Sequence, residues 1–162
     1  MIKELKQLGE ILSKNITNLT EDKDCAGYFG FNFQLDQRNI KFRKAKITPT
    51  KVGQFVTLWK RDAQGQTTAF TADDAIDYYI IAAEQEPHAG LFVFPKQVLI
   101  DRQILTTAQK EGKRGFRVYP DWSITQNKQA TQSKNWQGQY FIDLRIPTQE
   151  IKEKLTAILQ MS

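Results

Sequence analysis

The sequence predicts an α+β fold in which a mixed, mostly antiparallel sheet is flanked by helices. Both ends of the chain have the periodicity of amphipathic helices, and the first half alternates apolar and polar residues like consecutive hairpin strands. Two strongly apolar segments, 78–83 and 91–94, are typical of central strands. Consecutive hairpins exclude a purely parallel, doubly wound sheet. At this length we expect one domain, 1–162.

The first 61 residues are predicted to contain one helix and three strands. Apolar residues spaced three and four apart, from Ile2 to Leu19, are typical of an amphipathic helix. Alternating residues then predict strands that are joined by short polar turns. We expect a strand at 28–35, a turn at 36–39, basic strands at 40–47 and 52–61, and a Pro-containing turn at 48–51.

Residues 62–162 are predicted to contain the two central strands and most of the helices. A short strand near 67–70 precedes the central pair, and the loop between the two central strands, 84–90, holds the single histidine, His88. That histidine is expected to be an ordinary surface residue. We expect a short helix at 95–99, a flexible basic segment at 110–117, a helix at 127–137, a strand at 140–146 and a final helix at 150–159 with Thr148 as its N-cap.

Two segments concentrate positive charge. Residues 39–61 carry seven Lys and Arg residues and no carboxylate, and residues 110–117 carry a second cluster. Because like charges this dense repel one another, an anionic partner is one explanation of the pattern, and a solvated basic face is the other. Alternation places the basic residues of strand 40–47 on both of its faces, so some of them must lie over the core or at its rim.

Phosphate is the chemical group that these residues suit best. Arg offers a planar fork for two oxygens, Lys a mobile charge, and an exposed ring such as Trp59 or Trp122 a stacking surface. Most aromatic residues are expected to lie in the core instead. The candidate residues for nucleic-acid or anion binding are Arg43, Lys44, Lys46, Thr48, Lys51, Trp59, Lys60, Arg61, Lys96, Lys113, Arg114 and Arg117.

Composition limits the cellular setting and the class of partner. The chain is 40% apolar and 25% charged, and its formal net charge of +5 favours an acidic partner. No segment approaches the roughly 18 apolar residues of a membrane span, and no leader-like segment opens the chain, so we expect no membrane partner. A single cysteine, Cys25, favours a reducing, cytoplasmic setting. The oligomeric state stays open.

Several blocks of the sequence resemble the MepB family of small bacterial proteins. The blocks are FRKAKITPTKVGQFVTLWKR, GLFVFPKQVL, GKRGFRVYPDW and NKQATQSKNWQ, and the resemblance extends from about Tyr28 to Ile146. The resemblance implies a fold similar to that of restriction-type nucleases and a role in nucleic-acid binding.

A nuclease of that type holds Mg²⁺ with an Asp at the start of one central strand and a Glu-x-Lys at the end of the next. Aligned in this way, Asp77 precedes the first central strand and Lys96 ends the second. The residue two before Lys96 is Phe94, so one metal ligand is missing. One carboxylate and one lysine hold Mg²⁺ poorly, because the ion prefers several oxygen ligands. Asp77 and Lys96 are therefore weak catalytic candidates.

Three functions are compatible with these observations. The first is a non-catalytic, nuclease-like protein that binds DNA or another polyanion, with no cofactor. The second is an active nuclease that requires Mg²⁺ and uses a displaced set of carboxylates. The third is a binding module for a small anionic ligand or an acidic protein partner. The carboxylates available to the second are Asp73, Asp74, Asp77 and Glu84, although the three aspartates are equally suited to capping a turn.

Overall fold

The computed structural model describes residues 1–161, which form four α-helices, one 3₁₀ helix and eleven strands. The elements are α1 Lys3–Leu12, β1 Ile16–Glu21, the 3₁₀ helix Lys23–Tyr28, β2 Phe31–Leu35, β3 Arg38–Lys44, β4 Lys46–Ile47, β5 Gln54–Thr57, β6 Trp59–Arg61, β7 Thr67–Ala69, β8 Tyr78–Gln85, β9 His88–Pro95, α2 Lys96–Asp101, β10 Gly115–Val118, α3 Lys128–Gly138, β11 Phe141–Asp143 and α4 Thr148–Leu159.

The main sheet has six strands in the order β1-β2-β3-β8-β9-β11. Only β3 and β8 run parallel, with Ile40 opposite Tyr78, and every other neighbouring pair is antiparallel. This arrangement confirms the predicted α+β class and the mixed, mostly antiparallel sheet. The central strands β8 and β9 are buried on both faces, as their near-continuous apolar sequence predicts.

One face of the main sheet is covered by the two terminal helices. Helices α1 and α4 contact each other and pack their apolar faces on the sheet. Alternation along β3 directs Ile40 and Phe42 to this face, as predicted. The helical part of this core consists of Leu5, Leu8, Leu12, Ile151, Leu155 and Leu159.

The opposite face is covered by a second layer made of strands and short helices. A three-stranded sheet, β10-β5-β4, and the hairpin β6-β7 lie in this layer together with α2 and α3. The core between the layers is rich in rings, among them Phe92, Phe94 and Phe116. Because Tyr79 and Ile81 of β8 point to this face, the same strand supplies both cores.

The predicted helix over Ile2–Leu19 is wrong after Leu12. Ser13 adopts a left-handed conformation with φ of 53°, and its N–H bonds back to the carbonyl of Glu10, which ends α1. The apolar spacing continues beyond this point only by coincidence, because residues 16–21 form the edge strand β1. Within β1 the pairing with β2 changes register between Thr17 and Thr20, where Asn18 has a φ of 53°.

Other predicted boundaries also need correction. The strand 28–35 begins only at Phe31, because Tyr28 closes the 3₁₀ helix, and the strand 40–47 is divided, because β3 ends at Lys44. The loop 84–90 is largely strand, because β8 and β9 pair as far as Gln85 and His88.

The C-terminal elements are shorter than expected or begin elsewhere. The strand 140–146 is limited to Phe141–Asp143, because the Asp143 carboxylate accepts the N–H of Arg145 in a turn. Thr148 is the first residue of α4 and Pro147 occupies the N-cap position, so the predicted Thr148 cap is wrong. Among residues 1–161, no helix combines the length and the hydropathy that crossing a membrane requires.

Arg43, on β3, is fully buried between the two layers, and its charge is balanced by Asp22. Its Nη2 donates to Asp22 Oδ2 at 2.6 Å and its Nη1 donates to the Phe42 carbonyl at 3.0 Å. Lys41 Nζ lies 3.4 Å from the same carboxylate oxygen and 4.6 Å from the centre of the Phe70 ring. The shorter contact and deeper burial make Arg43 the main partner of Asp22.

Burial and charge act in opposite directions on this carboxyl group. Burial favours a higher pKa for Asp22, but the charges of Arg43 and Lys41 outweigh it and hold that pKa below its ordinary value. Burial, and then the neighbouring Arg43 charge, lower the pKa of the Lys41 ammonium. The carboxylate form of Asp22 is therefore the form that stabilises the fold.

Replacing Asp22 tests this ion pair. We expect Asp22→Asn to lower the free energy of unfolding at pH 7 by about 3 kcal/mol, because it leaves the buried Arg43 charge without its counter-charge. The stabilisation is present above the ordinary carboxyl pKa of about 3.9. It is lost as the pH falls through the lower pKa of the folded protein, so the difference between wild type and variant shrinks below about pH 4.

The measurement is urea unfolding of both proteins across pH 3 to 7. Asp24→Asn is the matched control, because the Asp24 carboxylate is exposed and lies 3.6 Å from the exposed Arg61. We expect the control to change stability by less than about 0.5 kcal/mol. Equal effects of the two variants would contradict the assignment.

Candidate functional site

A cleft of about 600 Å³ opens between β10, α3 and the loop before β5, and we call it the basic cleft. Four of its lining residues are cationic, and they come from three separate segments of the chain: Lys51, Arg102, and the pair Lys113 and Arg117. The other polar lining residues are neutral amides and hydroxyls, among them Gln126, Asn127, Gln129 and Ser133. None of the described residues that line the cleft is Asp or Glu.

Arg117 connects β10 to the loop that carries Lys51. Its Nη2 donates to Thr48 Oγ1 at 2.5 Å and its Nη1 donates to the Val52 carbonyl at 3.3 Å. This arginine therefore has a structural role in addition to its position in the cleft. Arg102 follows α2 directly, and its guanidinium lies 5.1 Å from the centre of the Trp136 ring.

Helix α3 is fixed against β10 by a buried glutamine. Gln137 is 1% exposed, its Nε2 donates to the Arg117 carbonyl at 2.9 Å, and its Oε1 accepts the Tyr119 N–H at 2.8 Å. At the other end of the helix, Asn127 is the N-cap and accepts the Ala130 N–H at 2.8 Å. Because Asn127 lines the cleft, the positive end of the helix dipole lies beside the four cations.

A second cleft of about 590 Å³ adjoins the first, and we call it the apolar cleft. The two clefts share three lining residues, Lys51, Val52 and Gln126. The remaining lining residues of the apolar cleft are Ile47, Gly53, Gln85, Glu86, Pro87, His88, Trp122, Ser123 and Ile124. The two clefts are therefore neighbours, and the lining of the second mixes apolar side chains with polar ones, the Glu86 carboxylate among them.

Most cations of the segment 39–61 lie elsewhere and are paired with acids. Besides the buried Arg43, Lys60 Nζ lies 2.6 Å from Asp74 Oδ1. Burial favours a higher pKa for Asp74, but the hydrogen bonds from Lys60 and Thr71 outweigh it and lower that pKa. Three further ion pairs of the segment are looser, Lys44 with Glu4 and with Glu84 at 3.7 and 3.8 Å, and Arg61 with Asp24 at 3.6 Å.

The remaining candidate residues also make local contacts outside the basic cleft. Lys46 Nζ lies 4.5 Å from the Tyr28 ring centre, and Arg61 lies 5.3 Å from the ring centre of Trp59. Arg114 donates to Thr67 Oγ1 at 3.2 Å. Of the sequence-predicted residues, the fold thus brings together Lys51, Lys113 and Arg117, with Thr48 bound to the last.

Arg102 and the amides of α3 were missed by sequence reasoning. An isolated arginine after a short helix carries no local signal of function, and the polar composition of 127–137 predicts a helix without assigning a function to its amides. Lys96, which was predicted, begins α2 and does not line the cleft.

The pair Asp77 and Lys96 does lie together, but it does not fit Mg²⁺. Lys96 donates its backbone N–H to the Asp77 carbonyl at 3.0 Å, and the Asp77 carboxylate accepts the Asn39 N–H at 2.8 Å. Phe94, at the position of the second acid, is fully buried against Phe92 and Trp136. Within residues 1–161, no three His, Cys, Asp or Glu side chains group in a way that could hold a metal ion.

Comparison with known proteins decides the family. The family model described as MepB-like matches residues 22–143. The chain belongs to the MepB-like family. The chain is also similar to the protein in a crystal structure of MepB, with 36% sequence identity and a TM-score of 0.81 over 91% of this chain and 100% of that chain. No curated protein matches the chain. The resemblance to the MepB family is therefore confirmed.

The loop between the two clefts depends on Gly53. Its φ is +82°, and a Cβ on this residue would lie 2.7 Å from Tyr119 Cδ1 and 2.8 Å from the Val118 carbonyl oxygen. Gly65 has a similar φ of +78°, but its surroundings are open. The two glycines therefore separate the cost of backbone strain from the cost of crowding.

We expect Gly53→Ala to lower the free energy of unfolding by about 2 to 3 kcal/mol, and Gly65→Ala by only about 1 kcal/mol. The first substitution combines a left-handed backbone with a clash, whereas the second has the backbone strain alone. Thermal unfolding followed by circular dichroism measures both. Equal losses of unfolding free energy in the two variants would show that the close approach of Tyr119 to Gly53 adds no cost to the substitution.

Proposed function

We propose that this MepB-like protein binds nucleic acid, DNA in the first place, by holding backbone phosphates in the basic cleft. The observation that carries the proposal is the convergence of Lys51, Arg102, Lys113 and Arg117 on one surface that no carboxylate lines, in the described part of the chain. Phosphate contacts supply most of the affinity in sequence-independent binding. We assign no cleavage step to the site.

The chemistry of the lining residues supports phosphate over other anions. Arginine holds two phosphate oxygens in a planar fork, lysine adds a mobile charge, and amide N–H groups are neutral donors to the same oxygens. Donors of all three kinds line the cleft, with Gln126 and Gln129 next to the positive end of α3. The net charge of +5 adds long-range attraction for a polyanion.

The structure narrows the set of residues that we propose as contacts. Arg43, Lys44, Lys60 and Arg61 face acids, so they add little field at the cleft. A restriction-nuclease-like fold stays part of the proposal, and the mixed sheet with the antiparallel pair β8 and β9 at its centre is compatible with it. A cytoplasmic location is also proposed, on the single cysteine, Cys25, which is buried and free.

A small anionic ligand is the second candidate function. The observation that favours it is the size of the basic cleft, because about 600 Å³ lies within the range typical of small-molecule sites. The two functions differ in how affinity depends on length. A polyanion gains affinity with each added phosphate, whereas a single phosphorylated metabolite saturates the cleft by itself.

Reversing three charges in the cleft tests the main proposal. We expect the triple variant Lys51→Glu, Arg102→Glu and Lys113→Glu to weaken DNA binding at least about tenfold at low salt. We also expect it to reduce the slope of log K against log salt by about three, since each neutralised phosphate contributes about 0.9. Fluorescence anisotropy with a labelled DNA at several salt concentrations measures both. Arg117 is left intact because of its structural hydrogen bonds.

The matched control reverses three cations on the helices that cover the opposite face of the main sheet, Lys6, Lys152 and Lys154. Both triple variants lower the formal net charge of +5 by six, so only the location of the change differs. The control is expected to keep most of the salt slope. Equal losses in the two variants would indicate a non-specific effect of net charge, and salt-independent affinity in the wild type would overturn the proposal.

A further inference from the structure

The apolar cleft lies next to the basic cleft. Lys51, Val52 and Gln126 line both, so a group seated in one is adjacent to a group seated in the other. Lys51 is exposed and stands at the junction. The shared residues make the two clefts suited to two chemically different parts of one ligand, one anionic and one apolar.

Two stacked rings form a wall of the apolar cleft. His88 and Trp122 lie nearly parallel, with centres 4.9 Å apart and an angle of 15°. Phe141 meets Trp122 edge to face at 5.8 Å, and Trp122 Nε1 donates to Gln85 Oε1 at 3.2 Å. Because Trp122 is held by Phe141 and Gln85, it offers the His88 ring a fixed surface to stack on.

Two aliphatic side chains border the same cleft and are open to solvent. Ile124 is 80% exposed and Ile47 is 57% exposed. A single exposed aliphatic residue is ordinary on a protein surface, but two that line one cleft with an aromatic pair form a concave apolar surface. Such a surface suits a flat, partly apolar ring that enters from solvent.

We propose that the apolar cleft is a nucleobase subsite, which takes one unstacked base while the adjoining phosphate lies against Lys51. This inference rests on the proposed function, because it assigns the second part of the same ligand. The contacts to the base come from His88, Ile47 and Ile124, and Trp122 is a positioning residue behind His88. Base stacking on such surfaces is tolerant of sequence, because every base presents a π face.

If a base binds in the subsite, affinity depends on whether that base is free or is stacked and paired in a duplex. In a continuous duplex the bases are stacked and paired, so no base can enter the cleft unless it is flipped out. A single strand, an overhang or a mismatched position presents a base without that cost. An abasic strand presents the same phosphates and no base at all.

The decisive experiment compares two strands of equal length and charge, one that carries bases and one that is abasic, by fluorescence anisotropy at low salt. For the wild-type protein we expect the strand with bases to bind about tenfold more tightly, or about 1.4 kcal/mol, because one base stacks in the subsite. The ratio of the two affinities removes the contribution of the phosphates. Salt should weaken the binding of both strands in parallel.

Ile124→Ser and His88→Ala probe the subsite itself. We expect each variant to lower the affinity ratio at least threefold and to leave the affinity for the abasic strand unchanged. Leu19→Ser is the matched control, because Leu19 is also an exposed aliphatic residue but lies on the edge strand β1. The control should keep the wild-type ratio.

The outcomes separate this inference from the function on which it rests. If both strands bind the wild-type protein equally and lose affinity with salt, the base subsite is overturned while phosphate binding stands. If neither strand binds at low salt, the proposed function fails and the subsite falls with it. A high ratio that survives both subsite variants would also overturn the assignment to this cleft.

Discussion

The ion pair between Arg43 and Asp22 is the constraint that the two-layer architecture depends on. Arg43 lies on β3, which directs Ile40 and Phe42 to the helical face of the main sheet and Arg43 to the opposite face, and it has no access to water. Without a counter-charge, a guanidinium at this depth would be strongly destabilising. Asp22 supplies that charge from the start of the 3₁₀ helix, so the pair fixes the segment after β1 over β3. Gly30 leaves room for the guanidinium, because a Cβ there would lie 2.8 Å from Nη1.

The second layer, once fixed, forms the wall of both clefts. Strand β10 pairs with β5, and Gln137 attaches α3 to β10 by two hydrogen bonds. Arg117 then connects β10 to the loop that carries Lys51. The elements that carry Lys51 and Arg117 are thus held by backbone pairing and hydrogen bonds. A ligand site that rests on such supports is largely formed before the ligand arrives.

The fold class could be predicted from the sequence because its signals are local. The alternation in β3 and the apolar sequence of β8 and β9 give the faces and the centre of the sheet without any knowledge of contacts. Which acid pairs with which cation could not be predicted in this way. Asp22, Glu4, Glu84 and Asp74 pair with cations of the segment 39–61, and most of these acids lie far from their partners in the chain. Only the folded arrangement distinguishes a paired lysine from one that faces a cleft, as Lys51 does.

The register change in β1 also bears on whether another chain can add to this edge of the sheet. β1 is the outer strand of the main sheet, and its free backbone groups are a template on which another chain could add a strand. Asn18, in a left-handed conformation inside the strand, interrupts the regular spacing of those groups. A neighbouring molecule would find few consecutive donors and acceptors in line. The irregular edge therefore acts against aggregation by sheet extension.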